Sequence, residues 1–351
     1  MPARRYRRAR ARPRRRVVRR RTPVRRKRTI TPRRPMSRML TKYELAQVNP
    51  FDKQVQGVKI PDSNTMPSDT AFVEDRITVS TGATDLAKAV AFFPNVGIVA
   101  QPALDGTSTS WTWPVYGLGA SASSQLANFT SSFSGIRPCG HGIRLSSQLA
   151  PTSATGFVHI AIYPLPTYTS TTYLLPLNLS QMTQLSWYRR VTLASLTQRS
   201  CTVVNKFIDN TATRYSAPGS DLLASSDDQH FQFGSGWCAI LIAVEGAPLN
   251  TGVLSVENIT HFETLQLRGA AGSQSPAAEY NVRELEDVSR ISGQGNAIFL
   301  EGEEPNQIRQ ATSILARGIQ AIGNMVLPQS SYTSYTGGGI QGINTGRLMQ
   351  Y

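Results

Sequence analysis

The sequence predicts an all-β body of about eight strands, a β-sandwich of jelly-roll type, set between a basic N-terminal arm and a C-terminal helical extension. Three observations predict it. Basic charge is crowded into one end: Met1–Arg38 holds 18 arginines and Lys27, and the first carboxylate of the chain is Glu44. The middle of the chain is a succession of short apolar or alternating runs separated by Gly, Pro, Asn and Ser, the pattern of strands and turns. Past Arg268 the apolar spacing changes to three and four, the spacing of a helix face.

Arginine stays ionised at any cellular pH, so the arm carries about +19 whatever surrounds it. Of the chain's 37 Lys and Arg, 19 lie there, which leaves 18 against all 22 Asp and Glu in the other 313 residues, a net of −4. The formal +15 of the chain therefore belongs to one end. Arg4, Arg5, Arg7, Arg8, Arg10, Arg12, Arg14, Arg15, Arg16, Arg19, Arg20, Arg21, Arg25, Arg26, Lys27, Arg28, Arg33, Arg34 and Arg38 are interrupted by Pro13, Pro23, Pro32 and Pro35. Like-charge repulsion and proline forbid a packed core, so the free arm is expected to be extended and disordered. Its natural partner is a polyanion, most simply nucleic acid phosphate, held without sequence reading and with steep salt dependence. An import signal, a ribosomal-type extension or an anionic-surface contact are the other uses of such a tail, but import needs only about 5 to 8 basic residues. No apolar segment follows the basic run, which excludes a secretory signal peptide.

Residues 49–268 are expected to form the β body, with 1–48 as the arm, 269–328 as the helical extension and 329–351 as a flexible tail. Within 37–48, Met39, Leu40, Tyr43, Leu45 and Ala46 suggest a short helix under the body. Asn49-Pro50-Phe51-Asp52 and Gly57-Val58-Lys59-Ile60-Pro61-Asp62 read as a fixed irregular connection. Strands are expected at 71–80, 87–93, 111–117, 136–148, 156–163, 202–208, 237–244 and 252–267, with a hairpin-like link joining 136–148 to 156–163. The run at 237–244 is apolar throughout, which suits burial on both faces. Met182, Leu185 and Tyr188 recur at helical spacing, so 180–196 is expected to hold a short helix. Residues 277–289 read as a charged helix. The best helix signal is 305–327, opened by Pro305, closed by Pro328, and lined by Ile308, Ala311, Ile314, Leu315, Ile319, Ile322, Met325 and Val326.

Only 17% of the residues are charged. A body so poor in charge suits a surface covered by neighbouring subunits. Cys139, Cys201 and Cys238 lack metal-ligand spacing and are expected to be buried free thiols. His141, His159, His230 and His261 show no metal pattern, and His159 and His261 lie in strands where a packing role is commoner. No nucleophile motif or phosphate-binding glycine loop is present.

An arginine arm, an eight-strand body and an amphipathic C-terminal segment, in that order, resemble the coat proteins of small icosahedral viruses with jelly-roll subunits. The nodavirus and bacilladnavirus capsid proteins are the nearest likeness. Phe51-Asp52 followed by Gly57-x-x-Ile60-Pro61-Asp62 is similar to the nodavirus segment that leads into the shell, with the acidic residue one position closer to the glycine. Ile77 to Gly97, with Phe93-Pro94-Asn95-Val96-Gly97, is similar to the first two shell strands; Ile136 to Tyr163 resembles the central ones and Gly252 to Leu267 the last. The resemblance implies a virion protein that assembles with many copies of itself, as in a T=3 shell, and packages a single-stranded DNA or RNA genome, with the host nucleus or cytoplasm as the place of assembly. It implies no required cofactor; Asp227, Asp228, Glu301, Glu303 and Glu304 could hold calcium at subunit interfaces, and read otherwise as solvated acids or a helix N-terminal cluster. It also implies a single-turnover self-cleavage at Asn296-Ala297 assisted by Asp52, where Gly293, Gly295 and Asn296 also read as an ordinary flexible turn, and a transient membrane contact through 305–327; a purely structural packing role is the other reading of that helix. A cellular nucleic-acid-binding protein with a basic tail and a β-sandwich body is the rival from another class, and an enzyme on a jelly-roll scaffold is the third.

Overall fold

Two antiparallel sheets pack face to face around alternating side chains. The computed structural model describes residues 39–83, 87–94, 99–100, 103–104, 111–112, 120–121, 131–164, 175–176, 178–208, 210–215, 236–266, 274–295, 297–303 and 308–315. Met1–Arg38, Asp227, Asp228, His230, Asn296, Glu304 and 316–351 lie outside the described residues. In chain order the elements are helix α1 (Lys42–Ala46), strands β1 (Asp69–Ser80), β2 (Ala87–Phe92), β3 (Val99–Ala100), β4 (Ala103–Leu104), β5 (Trp111–Thr112), β6 (Ala120–Ser121), β7 (Phe133–Ser147) and β8 (Phe157–Pro164), helix α2 (Leu179–Thr183), β9 (Trp187–Thr192), helix α3 (Leu193–Leu196), β10 (Cys201–Val204), β11 (Cys238–Glu245), β12 (Gly252–Gln266), helix α4 (Val282–Gln294) and β13 (Ile298–Leu300). A last helical stretch covers 308–315.

The first sheet has the order β1-β12-β7-β10-β13 and the second β6-β3-β2-β11-β8-β9. Eight of these strands pair in a nested fashion: β1 with β12, β2 with β11, β7 with β10, β8 with β9. First pairs with last, second with seventh, third with sixth and fourth with fifth, which is one long hairpin folded over itself, the jelly roll. The expected fold class is therefore observed.

Period-2 alternation places the core. Cys238, Ile240, Ile242 and Val244 of β11 face the first sheet and meet Val79, Ile143, Leu145, Val203, Leu254 and Val256. Ala239, Leu241 and Ala243 face the other way, under Trp111, Leu175 and Met182. The continuous apolar run is thus a central strand covered on both sides, as expected. The three cysteines are free and buried, and burial raises the Cys201 and Cys238 thiols to about 12.

Several sequence expectations are corrected. The stretch 136–148 begins earlier, at Phe133, and does not form a hairpin with 156–163, because β7 and β8 lie in opposite sheets. Their link turns the corner between layers at Gly156, where φ is +92° and an added Cβ would stand 2.3 Å from the Glu245 carbonyl oxygen. The 180–196 region does hold the expected short helix, α2, but goes on into β9 and α3. Met182, Leu185 and Tyr188 keep their common spacing because all three pack on one cluster, two before the turn and one from the strand. The expected 111–117 strand is described only at Trp111–Thr112, which pairs with β4 outside both main sheets. The charged helix runs Val282–Gln294 rather than 277–289.

Candidate assembly and packaging face

The outer surface of the first sheet, the side away from the sandwich core, is where both described ends of the chain settle. Strand β7 is bare there at Gly140 and Gly142, and α1 with the following connection lies across it. A Cβ on Gly140 would come within 3.0 Å of the Ala46 Cβ, and one on Gly142 within 2.7 Å of the Pro50 Cγ and 2.8 Å of the Val203 carbonyl oxygen. The glycines are required for this close approach. Polar groups then fix the seat. The Gln47 Nε2 donates to the Cys139 carbonyl at 2.6 Å, His261 Nε2–H to the Pro50 carbonyl at 2.7 Å, and the Arg144 guanidinium lies 4.3 Å from the Phe51 ring centroid. Tyr43, Ala46, Val55, Val58 and Ile60 form a small apolar core with Cys139 and with Val288 of α4.

The Gly57-to-Asp62 motif acts as a latch. Gly57 takes φ +76°, and the buried Glu263 carboxylate of β12 accepts from Ile60 N at 3.0 Å, Ser68 Oγ at 2.5 Å, and Arg137 Nε and Nη2 at 3.0 and 2.7 Å. Arg137 also holds Asp62, donates to the Thr213 carbonyl at 3.0 Å, and stacks 4.4 Å over Tyr215. Burial works against the Arg137 charge, but the Asp62 hydrogen bond and Glu263 outweigh it and raise its pKa. Two acids, a cation and their hydrogen bonds satisfy one another, the condition under which buried charge is tolerated.

The C-terminal side docks onto the same surface. The N-cap Thr41 of α1 accepts from Glu44 N and donates to Glu284 of α4, and Asn281 caps α4. Lys59 Nζ donates to the carbonyls of Ser68 and Pro276, each at 2.7 Å. Val48, Ile291, Ala311 and Leu315, with Leu40, form a further cluster joining the first and last described segments. Met39, Phe72, Tyr280, Val282 and Ile308 are exposed apolar side chains of this region.

The sequence-predicted site residues fall differently. The arm residues Arg4 to Arg38 and Asn296 are outside the described residues. Asp52 is half-buried and caps the 3-10 turn Lys53–Val55, its Oδ1 accepting from Gln54 N at 2.9 Å. Glu303 pairs with Arg189 at 2.8 Å, and Glu301 accepts from Ser200 N at 3.3 Å. Among the described residues no three carboxylate, histidine or cysteine side chains gather to hold a metal ion, and no helix is long and apolar enough to cross a membrane. His159 is held by Tyr188 and Glu245, as a packing role requires. Sequence reading missed Arg137, Glu263, Glu284 and Lys206; its available signal was a charged residue set inside an apolar run, and Gly140-His141-Gly142 inside a strand.

No family model matches the chain, and no curated protein matches it by sequence. Solved structures do. A point mutant of the VP2 protein of infectious bursal disease virus, in derived T=1 particles, is similar with a TM-score of 0.54 at 9% identity, over 78% of this chain and 97% of that one. The T13 particle of infectious bursal disease virus gives 0.54 at 10% identity over 79% and 97%, and the Gt strain 0.51 at 9% over 79% and 100%. At such identity the likeness shows the fold: this chain is built like the jelly-roll subunit of an icosahedral viral capsid.

Proposed function

We propose that the chain is a viral coat protein that assembles with copies of itself into an icosahedral shell and packages a single-stranded genome through Arg4 to Arg38. The observation that carries this is the meeting of both described ends on one face of a capsid-type jelly roll. Leu40 and the 308–315 helix share the cluster of Val48, Ile291, Ala311 and Leu315, so the chain that continues into the arm is tethered at the same surface as the C-terminal extension. A subunit with both extensions rooted on one face has a cargo side and an outer side. A body of net −4 has little electrostatic reason of its own to hold nucleic acid, which assigns that task to the arm.

The nodavirus-like reading and a T=3 shell belong to the same proposal. About 180 arms would bring roughly 3,400 positive charges inside, sufficient for counterion-release binding of several thousand nucleotides. Cleavage at Asn296-Ala297 with Asp52 assisting is its maturation step. The burial of Ala297 supports it, since its carbonyl accepts from Val204 N at 2.8 Å and holds the far side of that bond in a dry place.

Electron microscopy of the full chain and of a variant lacking Met1–Arg38, with nuclease-protected nucleic acid measured in each, tests the function. Shells from both, with protected genome only in the full chain, are expected. A soluble monomer whose nucleic acid binding needs the body would instead support the cellular binding protein. On the same particles, intact mass reads the maturation step: a 55-residue fragment supports cleavage, and a single 38.4 kDa species rules it out.

A further inference from the structure

At Lys206 the β body, the N-terminal segment and the C-terminal extension converge around a buried charge. It follows β10 and is 1% exposed. Its backbone is fixed: its N–H donates to Asn205 Oδ1 at 2.7 Å and its carbonyl accepts from Cys238 N at 2.7 Å. The next residue, Phe207, exchanges hydrogen bonds of 3.2 and 3.0 Å with the Ser292 hydroxyl of α4. The amine is therefore delivered to the C-terminal end of α4, where Nζ donates to the Ile291 carbonyl at 3.2 Å. Gly295 is needed beside it, since a Cβ there would lie 3.3 Å from Nζ and 2.5 Å from the Ile291 oxygen. A cavity of about 10 Å³, one water in capacity, adjoins the amine and is lined by Gln47 and Val48, Ile291 and Gly295, and Gln310 and Ala311.

No carboxylate among the described residues pairs with this amine. Facing it are Gln47 from the end of α1, the Ile291 carbonyl from α4 and Gln310 from the last helix, none of which titrates. From β11 comes the Cys238 thiol, which burial keeps protonated up to about 12. Asp287, one turn earlier in α4, is engaged by Arg290 at 3.3 Å, and His141, bonded to the neighbouring Asn205, is neutral at physiological pH. One carbonyl, itself shared with Gly295 N–H, is a poor substitute for the hydration shell of an ammonium. Burial accordingly lowers the Lys206 pKa to about 8.

We propose that Lys206 is a proton-linked latch for the C-terminal extension, which is bound most tightly when the buried amine is neutral and is loosened when the amine takes up a proton. Opening the contact between 205–208, α4 and 308–315 hydrates the amine and restores its ordinary basicity, so opening takes up a proton. The sign follows: a base whose pKa is lower when docked favours docking increasingly as pH rises from the docked value toward the free one. Below the docked value the ammonium is present in both states and the full desolvation cost opposes docking.

The test is hydrogen exchange of α4 and 308–315 amides in the full-length chain, corrected for intrinsic rates, in wild type and Lys206→Met. Between pH 7.5 and 9.5 the wild-type protection is expected to rise about twentyfold relative to the variant. At pH 7.5 the variant, which buries an apolar chain of similar length, is expected to be the better protected by one to two orders of magnitude. Equal pH profiles in the two proteins overturn the latch. Should the variant fail to fold, lysine side-chain NMR of the wild type decides: the chain has six lysines, and the proposal requires the buried one to titrate near 8 and fails if it titrates at the ordinary lysine value.

Discussion

His141 stands between the two sheets with both ring nitrogens engaged. Asn205 Nδ2 donates to Nδ1 at 2.8 Å, and this leaves Nε2–H to donate to Asn258 Oδ1 at 2.9 Å. The same Asn205 amide donates to the Cys238 carbonyl at 2.7 Å, so one neutral imidazole ties β7, β12 and the edge of β11 together. Burial lowers its pKa to about 4, and burial also lowers those of His159 and His261. A folded pKa below the unfolded value means that the unfolded chain binds the extra proton. Stability is therefore complete above about 6.5 and is lost as pH falls toward 4. His141 is expected to cost about 1–2 kcal/mol between pH 6.5 and 5. Denaturant titration of the unassembled chain at the two values measures it, and the loss should shrink in His141→Gln, whose baseline is lower but whose slope is flatter. The sequence places His159 and His261 in strands, where packing is the commoner role, but that three histidines make the body acid-sensitive depends on burial, which no local pattern encodes.

Elements were legible where their own side chains decide the outcome and obscure where a partner does. The β11 run and the alternation of β1 and β12 could be read directly, because period and burial agree. Strand β9 could not: Arg189 and Arg190 interrupt its apolar face, and they are tolerated because Arg189 reaches Glu303 and the Ile298 carbonyl while Arg190 lies 4.5 Å over Phe157. Which strands pair was likewise invisible, as the β7–β8 crossover shows, since turn composition does not distinguish a hairpin from a corner between sheets. In the candidate face, the arm and the Gly57-to-Asp62 stretch were evident from sequence, whereas the carboxylate that organises the stretch lies some 200 residues away in β12. Edge strand β1 carries Asp75 on its inward side, with an oxygen that has no hydrogen-bond partner among the described residues, a device that discourages edge-to-edge pairing. The bare strip on β7 has the sharper consequence. Gly142→Ala must push Pro50 or the Val203 carbonyl aside, and is expected to destabilise the seat of the N-terminal segment by about 1–3 kcal/mol. Faster proteolysis between residues 39 and 60, with the sandwich core still protected, is the expected result; unchanged cleavage would mean that the segment is not held by this contact.

At the scale of the whole molecule, charge and fold divide between two parts of the chain. The body is a packed sandwich in which buried Arg137 is spent on Asp62 and Glu263, while the half-exposed Arg189 and Arg290 pair with Glu303 and Asp287. The arm holds 19 of the 37 cations and no acid. Phosphate neutralisation releases condensed counterions, so the logarithm of the binding constant falls linearly with the logarithm of salt concentration, with a slope of about −0.7 per contact on a single strand. If every arm cation engages, the subunit slope is about −13, and a slope between −7 and −13 corresponds to half or more of them. Residues 39–351 alone, with a surplus of acid, are expected to give a slope near zero and no measurable affinity at moderate salt. Fluorescence anisotropy of a labelled single-stranded oligonucleotide against unassembled full chain and truncated body, over a salt series, distinguishes the outcomes. A steep slope retained by the body would move the nucleic-acid surface onto the sandwich. A shallow slope in the full chain would mean that the arm binds by something other than its charge. Because phosphate contacts carry no sequence, the slope is expected to be the same for oligonucleotides of unrelated sequence.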